Sequence, residues 1–227
     1  MAVITISREY GSQGDEIAAR VCEMLGYQFF DKRLMAKVAS EVGLAENEII
    51  DFSEDNYKVR SFLDRLLRLD NPRVIARVGT WQETTRGSKV EAVAELDETH
   101  GIAMVQSTVH AAYQRGNVVI VGRGGQAILK DKPDVLHLRI EAPQEVRVQY
   151  LQDQENLDSG AAQGLVTNRD KAAAAYLKQF YDIDWADPLH YHLVINTSNW
   201  GVEAAAHLIV TAVSYLLPVE ETALVTG

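Results

Sequence analysis

Residues 3–25 place an apolar run (Val3, Ile4, Ile6) before a turn carrying Gly11, Ser12 and Gly14. Ile17, Val21, Met24 and Leu25 follow at helical spacing. A strand, a glycine turn and an amphipathic helix in that order constrain the fold more than any other stretch of the chain. The N–H groups of such a turn, backed by the positive end of a helix dipole, make an anion-binding site. The Lys-Ser/Thr pair that completes an ordinary phosphate-binding loop is missing from it.

The same strand-then-helix alternation recurs along the chain. Tyr27 to Phe30 predicts a second strand with Asp31 at its end, and Leu34, Met35, Val38, Ala39 and Val42 a helix after it. Residues 44–98 read as helical and charged, with Phe62, Leu63, Leu66 and Leu67 on one apolar face, an insertion or a partner-facing arm. Ile102, Val105, Val109, Ala112 and Tyr113 mark a helix leading into the strand Val118–Val121 and the turn Gly122-Arg-Gly-Gly. Val135 to Ile140 gives another strand, and Pro143 opens a helix. A polar segment with Gly160 and Gly164 lies within a lid-like stretch, 153–190, that also holds a helix from Ala172 to Phe180. The last strand is Leu193 to Ile195, and a buried helix over 202–217 precedes a tail, 218–227. Five short apolar strands separated by helices predict a three-layer α/β domain around a parallel sheet, because parallel neighbours need crossovers and both sheet faces must be covered.

A chain of 227 residues with 47% hydrophobic content fits one domain, 1–227, with ample core. Its net charge of −10 argues against a nucleic-acid polymer or a membrane surface as partner and favours a nucleotide or small phosphorylated ligand. Cys22, on the apolar side of the first helix, reads as a buried structural thiol. The N-terminus has no basic segment followed by a long apolar stretch, so a cytoplasmic protein is expected. Gly122-Arg-Gly-Gly lacks the full dinucleotide pattern, and His190 and His192 alternate before a strand without establishing a metal site.

Five segments carry a more specific resemblance: Ile4-Thr-Ile-Ser-Arg-Glu-Tyr-Gly-Ser-Gln-Gly, Leu25-Gly-Tyr-Gln-Phe-Phe-Asp, Val121-Gly-Arg-Gly, Arg169-Asp-Lys-Ala, and Asp187-Pro-x-x-Tyr-x-Leu-Val-Ile-Asn-Thr. Together they resemble the cytidylate kinase-like family, a branch of the P-loop nucleoside monophosphate kinases. The resemblance implies a five-stranded sheet in the order 2-3-1-4-5, a monophosphate-binding insertion after the second strand and a lid between the fourth and fifth. It implies ATP and Mg²⁺ as cofactors and phosphoryl transfer to a nucleoside monophosphate or similar small acceptor. Aligned without gaps, Gly14 stands where ordinary cytidylate kinases have the loop lysine, Glu16 where they have the metal-binding Ser or Thr, and Asp15 where this branch has an arginine. Asp15 either points outward or helps hold Mg²⁺.

With the lysine gone, other cations must stabilise a moving phosphoryl group, and Arg8 and Arg123 are the catalytic candidates. Gly11, Ser12, Gln13, Gly14 and Arg169 are expected to bind the cofactor, and Asp31, Lys37, Arg123 and Asp170 the substrate. Each has a structural alternative: an ion pair for Arg123, a helix cap for Asp31, a solvated helix face for Lys37 and for Arg169 and Asp170. The turn Arg8–Gly14 is expected beside Arg123 in one phosphate-sized pocket. The apolar face at 62–67 needs cover, and a homodimer is the favoured source of it. A catalytically inactive relative, serving as nucleotide sensor or interaction scaffold, stays open as the second functional class.

Overall fold

The computed structural model describes residues 2–30, 34, 79–83, 89–93 and 98–216. Strand β1 (Val3–Arg8) is buried on both faces, as an uninterrupted apolar start requires. Helix α1 (Gly14–Leu25) follows the glycine turn, with Asp15 and Glu16 in its first turn and a left-handed Gly26 closing it. Strand β2 (Gln28–Phe30) comes next.

Within the segment expected to be helical, β3 (Gly79–Glu83) and β4 (Lys89–Val93) pair antiparallel. Residues such as Thr80, Val90 and Val93 favour a pleated backbone, which the charge-weighted helical reading overlooked. Helix α2 (Glu98–Arg115) leads to β5 (Val118–Val121), and a short α3 (Gly125–Ile128) follows the second glycine turn. Strand β6 (Val135–Glu141) and α4 (Gln144–Glu155) precede α5 (Ser159–Tyr181). Helix α5 runs unbroken through Gly160 and Gly164, where the sequence suggests a polar loop. Asp158 caps its start by accepting the Ala161 N–H at 2.8 Å. The last described elements are β7 (Leu193–Asn196) and α6 (Val202–Val213). α6 stops short of residue 217 and buries only one face, through Ala205, Ala206 and Ile209.

Among the described residues the main sheet has the order β2-β5-β1-β6-β7, every neighbour parallel. Counted along the chain, its five strands stand 2-3-1-4-5, as expected. One face, with Ile4, Ile6, Val119, Leu136, Leu138 and Ile140, packs under α1 and α6. The other, with Val3, Phe30, Val118, Ile120 and Val135, packs under α2. Burying each such side chain contributes about 1.5–3 kcal/mol, so both layers are held to the sheet by its apolar alternation. Burial pushes the Cys22 thiol up to about 12, consistent with an inert core residue. Among the described residues no helix is long and apolar enough to cross a membrane. Asp31, Lys37, the face at 62–67 and the tail lie outside the described residues.

Candidate functional site

β1 is the central strand, so its C-terminal end opens at the middle of the sheet edge, where parallel α/β sheets collect ligands. The chain then folds back tightly. The Ser12 N–H and hydroxyl both donate to the Glu9 carbonyl, at 3.2 and 2.7 Å, and Thr197 Oγ1 donates to the Ser12 carbonyl at 3.0 Å. Gly11 has φ +82°, and a Cβ there would meet the Arg147 carbonyl at 3.0 Å. Gly14 is held to glycine by a different cause: a Cβ would lie 2.5 Å from Arg8 Cβ.

A cavity of about 290 Å³ opens over this turn. It brings together six of the sequence-predicted residues: Arg8, Gly11, Gln13, Gly14, Arg169 and Asp170. The Arg8 Nε lies 3.4 Å from Asp15 Oδ1, and the Arg169 guanidinium sits 5.6 Å above the Tyr10 ring. Two further carboxylates, Glu16 and Glu155, line the wall and pair with tyrosine hydroxyls. Tyr150 donates to Glu16, and Tyr10 donates to Glu155 at 3.3 Å. Burial, then the Glu16 hydrogen bond and negative charge, push the Tyr150 hydroxyl above its ordinary range, so it remains a donor at neutral pH.

Below the turn lies a charge network. Arg147, on α4, is buried and donates from Nε to the Ala142 carbonyl at 2.9 Å. Its Nη1 donates to the Tyr10 carbonyl at 3.1 Å and to Asp170 Oδ2 at 2.6 Å. Asp170, on α5, uses its other oxygen to accept the Tyr10 N–H at 2.9 Å. Glu9 accepts the Ala142 N–H at 3.1 Å and faces Arg139 and Arg147, each at 3.4 Å. Burial raises the Glu9 carboxyl above its usual value, with Arg147 the first of the opposing influences. Arg139, in turn, donates to the Trp185 carbonyl at 2.9 Å and lies 4.4 Å over that indole ring. The backbone of the turn is thus clamped by α4 and α5 before any ligand arrives.

Among the described residues, two expected ones, Ser12 and Arg123, do not line this cavity. Ser12 is buried under the turn, its hydroxyl committed to the backbone. Arg123 ends the neighbouring strand, but it is buried over the Phe30 ring at 5.9 Å and is not among the residues lining the cavity. The expected single pocket is therefore corrected, because Arg8 follows the α1 face of the sheet whereas Phe30 belongs to the α2 face. Asp170, expected to read a base, spends both oxygens on Tyr10 and Arg147.

Sequence reasoning missed Glu9, Tyr10, Tyr150, Arg139 and Arg147 as parts of the site. One signal was present: Arg139, like His137, interrupts the apolar run of the strand Val135–Ile140, and a buried charge needs partners nearby.

Comparison with known proteins follows the same lines. The model of the cytidylate kinase-like family matches residues 3–199. The chain is 36% identical over 106 residues to the cytidylate kinase of Methanocaldococcus jannaschii, a match spanning 45% of this chain and 59% of that protein. It is 25% identical over 222 residues to the cytidylate kinase of Methanopyrus kandleri, 96% of each. Among solved structures, an uncharacterized protein from Eubacterium ventriosum ATCC 27560 superposes with a TM-score of 0.61 at 18% identity, covering 95% of this chain and 99% of that one.

Proposed function

The chain belongs to the cytidylate kinase-like family, and from that premise we propose that it is a nucleotide-binding phosphotransferase moving the γ-phosphoryl group of ATP to a nucleoside monophosphate or similar small acceptor. The observation that carries this reading is the clamped Gly11–Gly14 turn at the sheet edge, facing a cavity into which Arg8 and Arg169 both point charge. In the transfer, an acceptor oxygen forms the new bond to phosphorus as the bond to the β-phosphate oxygen breaks, and ADP leaves. The protein's part is positioning and electrostatics. The turn's N–H groups and the start of α1 take phosphate oxygens, and Arg8 and Arg169 offset their charge.

Asp15 and Glu16 line the cavity with hard oxygen donors, the set that suits Mg²⁺, which is commonly held by one or two carboxylates together with substrate phosphates. When bound, Mg²⁺ would neutralise negative charge on the β- and γ-phosphate oxygens. Arg123, after β5, is assigned to the acceptor together with Asp31 and Lys37 from the stretch that follows β2 in sequence.

One observation favours a second reading, a nucleotide sensor without turnover: Glu9, Asp15, Glu16, Glu155 and Asp170 together outnumber the two arginines at the cavity. A panel of nucleoside mono- and diphosphates with ATP and Mg²⁺, assayed for ADP release, tests the choice. Acceptor-dependent ADP release supports the phosphotransferase. Calorimetric nucleotide binding with no release under any acceptor leaves the sensor.

A further inference from the structure

The start of α1 carries no side chain for a steric reason. A Cβ at position 14 would lie 2.5 Å from Arg8 Cβ and 2.8 Å from Arg8 Cγ, distances that real Cβ atoms do not adopt. The obstacle is the root of the arginine and not its flexible end, so it cannot swing aside by rotating its outer bonds. Nor can the backbone yield easily, since β1 is bonded on both sides and Arg8 is in register with Ile140 of β6. Any side chain at position 8 therefore keeps position 14 a glycine, and the side chain present there is an arginine.

We propose that Arg8 is the phosphate-contacting cation of this site, entering from the strand end the space that a side chain at position 14 would enter from the helix start. The proposal deepens the phosphotransferase reading and rests on it for the identity of the ligand. Three further observations support it. Arg8 lines the cavity beside Gly11 and Gly14, and its side chain is only 16% exposed, so its charge acts in a partly desolvated setting. Its neighbour Asp15 is 59% exposed, so the 3.4 Å pair is a water-screened contact that a multiply charged phosphate can outcompete. Arg169 is engaged over the Tyr10 ring, which leaves Arg8 as the cation set against Gly14 itself. A guanidinium also presents a fork of donors that matches two phosphate oxygens, which a lysine cannot.

The test is a calorimetric titration of tripolyphosphate, and separately of ATP with Mg²⁺, into the full chain and its variants, each also scanned for melting temperature. Arg8→Ala is expected to weaken both ligands about 10- to 100-fold, the loss typical of a charge-assisted contact. Arg8→Lys should lose less, keeping the charge but not the fork. Gly14→Lys alone should lower both melting temperature and affinity, since the two stems collide.

The decisive variant is Arg8→Gly with Gly14→Lys, expected to regain about tenfold or more over Arg8→Gly, because with the Cβ and Cγ at position 8 both gone a lysine enters the vacated space. A merely structural role for Arg8 gives no such rescue. Wild-type affinity in Arg8→Ala, or a folded Arg8→Gly, Gly14→Lys double variant no better than Arg8→Gly, overturns the proposal. If Arg8→Ala does not fold, Arg8→Gln, which removes the charge and keeps much of the side chain, overturns it equally at undiminished affinity for tripolyphosphate. Tripolyphosphate binding that follows this pattern without ADP release in any acceptor assay sinks the phosphotransferase reading and leaves the Arg8 assignment standing. A wild-type chain that binds neither ligand sinks both.

Discussion

Two glycine turns leave neighbouring strands at one edge of the sheet, Gly11–Gly14 after β1 and Gly122–Gly125 after β5, and they finish in opposite states. The first forms the floor of a cavity and is held from beneath by ions: Arg147 and Asp170 take the carbonyl and N–H of Tyr10, and Glu9 and Arg139 extend the same charge network. The second is packed over. Gly124 lies against the Tyr181 ring, Arg123 lies over Phe30, and Gly125 sits on Thr5. A glycine turn at a strand end thus becomes a binding wall only where the neighbouring helices leave room. Charged side chains can support a backbone from one side and keep the other open, whereas aromatic rings fill the volume they stabilise.

The comparison breaks most readily at Arg147. Replacing it with methionine keeps much of the packing volume but leaves Glu9 and Asp170 facing one another without their shared cation. Removing one partner of a buried ion pair costs about 3–5 kcal/mol, and the Tyr10 and Ala142 carbonyls lose a donor as well. Chemical denaturation should show a loss of that size, together with weakened tripolyphosphate binding. A loss below about 1 kcal/mol, the range of surface pairs, would mean that ions do not hold the first turn.

Acid separates the two kinds of support. Beneath the second turn, His137 Nδ1 and Thr5 Oγ1 lie 2.7 Å apart, and the ring stacks on His192 at 5.1 Å between centroids. Burial, then the neighbouring His192, lower the His137 pKa from 6.5 to about 4. The unfolded chain therefore binds this proton first. Stability from a neutral His137 is complete above about pH 6.5 and falls as pH drops toward 4, by roughly 3 kcal/mol at most. Glu9 works in the opposite sense. Its raised value makes the ionised form a burden on the fold, present at neutral pH and relieved as the carboxyl protonates. Denaturation midpoints measured from pH 7.5 to 4.5 should fall for the wild type and flatten in His137→Gln. An unchanged slope in that variant would remove His137 from the account.

Legibility in the sequence followed the same divide. The five strands and the loop glycines were readable because burial on both faces leaves uninterrupted runs such as Val118–Val121, and a turn demands glycine by local geometry, while the strand order came with the family resemblance. The clamp was not readable. Glu9, Arg139, Arg147 and Asp170 come from four separate stretches and meet only through the parallel pairing of β1 with β6 and the packing of α4 against α5. Arg123 lies off this cavity for a related reason. Its place after a buried strand was clear, but which face of the sheet its side chain follows depends on Phe30 and Tyr181, far off in sequence. Helix α5 was read too short because Gly160 and Gly164 suggest a loop, while the Asp158 cap and burial of Ala162 and Val166 outweigh a cost of about 1 kcal/mol per glycine.

A smaller effect belongs to the second turn. Gly124→Ala adds a Cβ 2.6 Å from Tyr181 Cε2 at a residue with φ +68°, and overpacking of this kind costs about 1–3 kcal/mol. The loss should appear in denaturation while tripolyphosphate binding at the first turn is retained. Loss of that binding would join two turns that the structure keeps apart.

The smallest effect is expected where the same chemistry is moved to the surface. Arg20, on α1, makes a bidentate pair with Glu203 of α6, Nε to Oε2 at 2.8 Å and Nη2 to Oε1 at 2.9 Å, and also donates to Glu23 at 2.9 Å. Its geometry matches or betters that of the Arg147 contacts, and it ties the helix behind the phosphate turn to the last helix of the domain. Its setting differs: the side chains of Arg20, Glu203 and Glu23 are 38%, 58% and 68% exposed, so water screens the charges and solvates whatever remains after one is removed. The α1–α6 contact itself is carried by Ile17, Ala18, Val21, Ala205 and Ile209, which the substitution does not touch. Arg20→Ala should therefore leave the denaturation midpoint and tripolyphosphate affinity at wild-type values, and added salt should erase any residual difference. A loss comparable to that of Arg147→Met would show that pairing geometry, not burial, sets the strength of the charged support beneath the first turn.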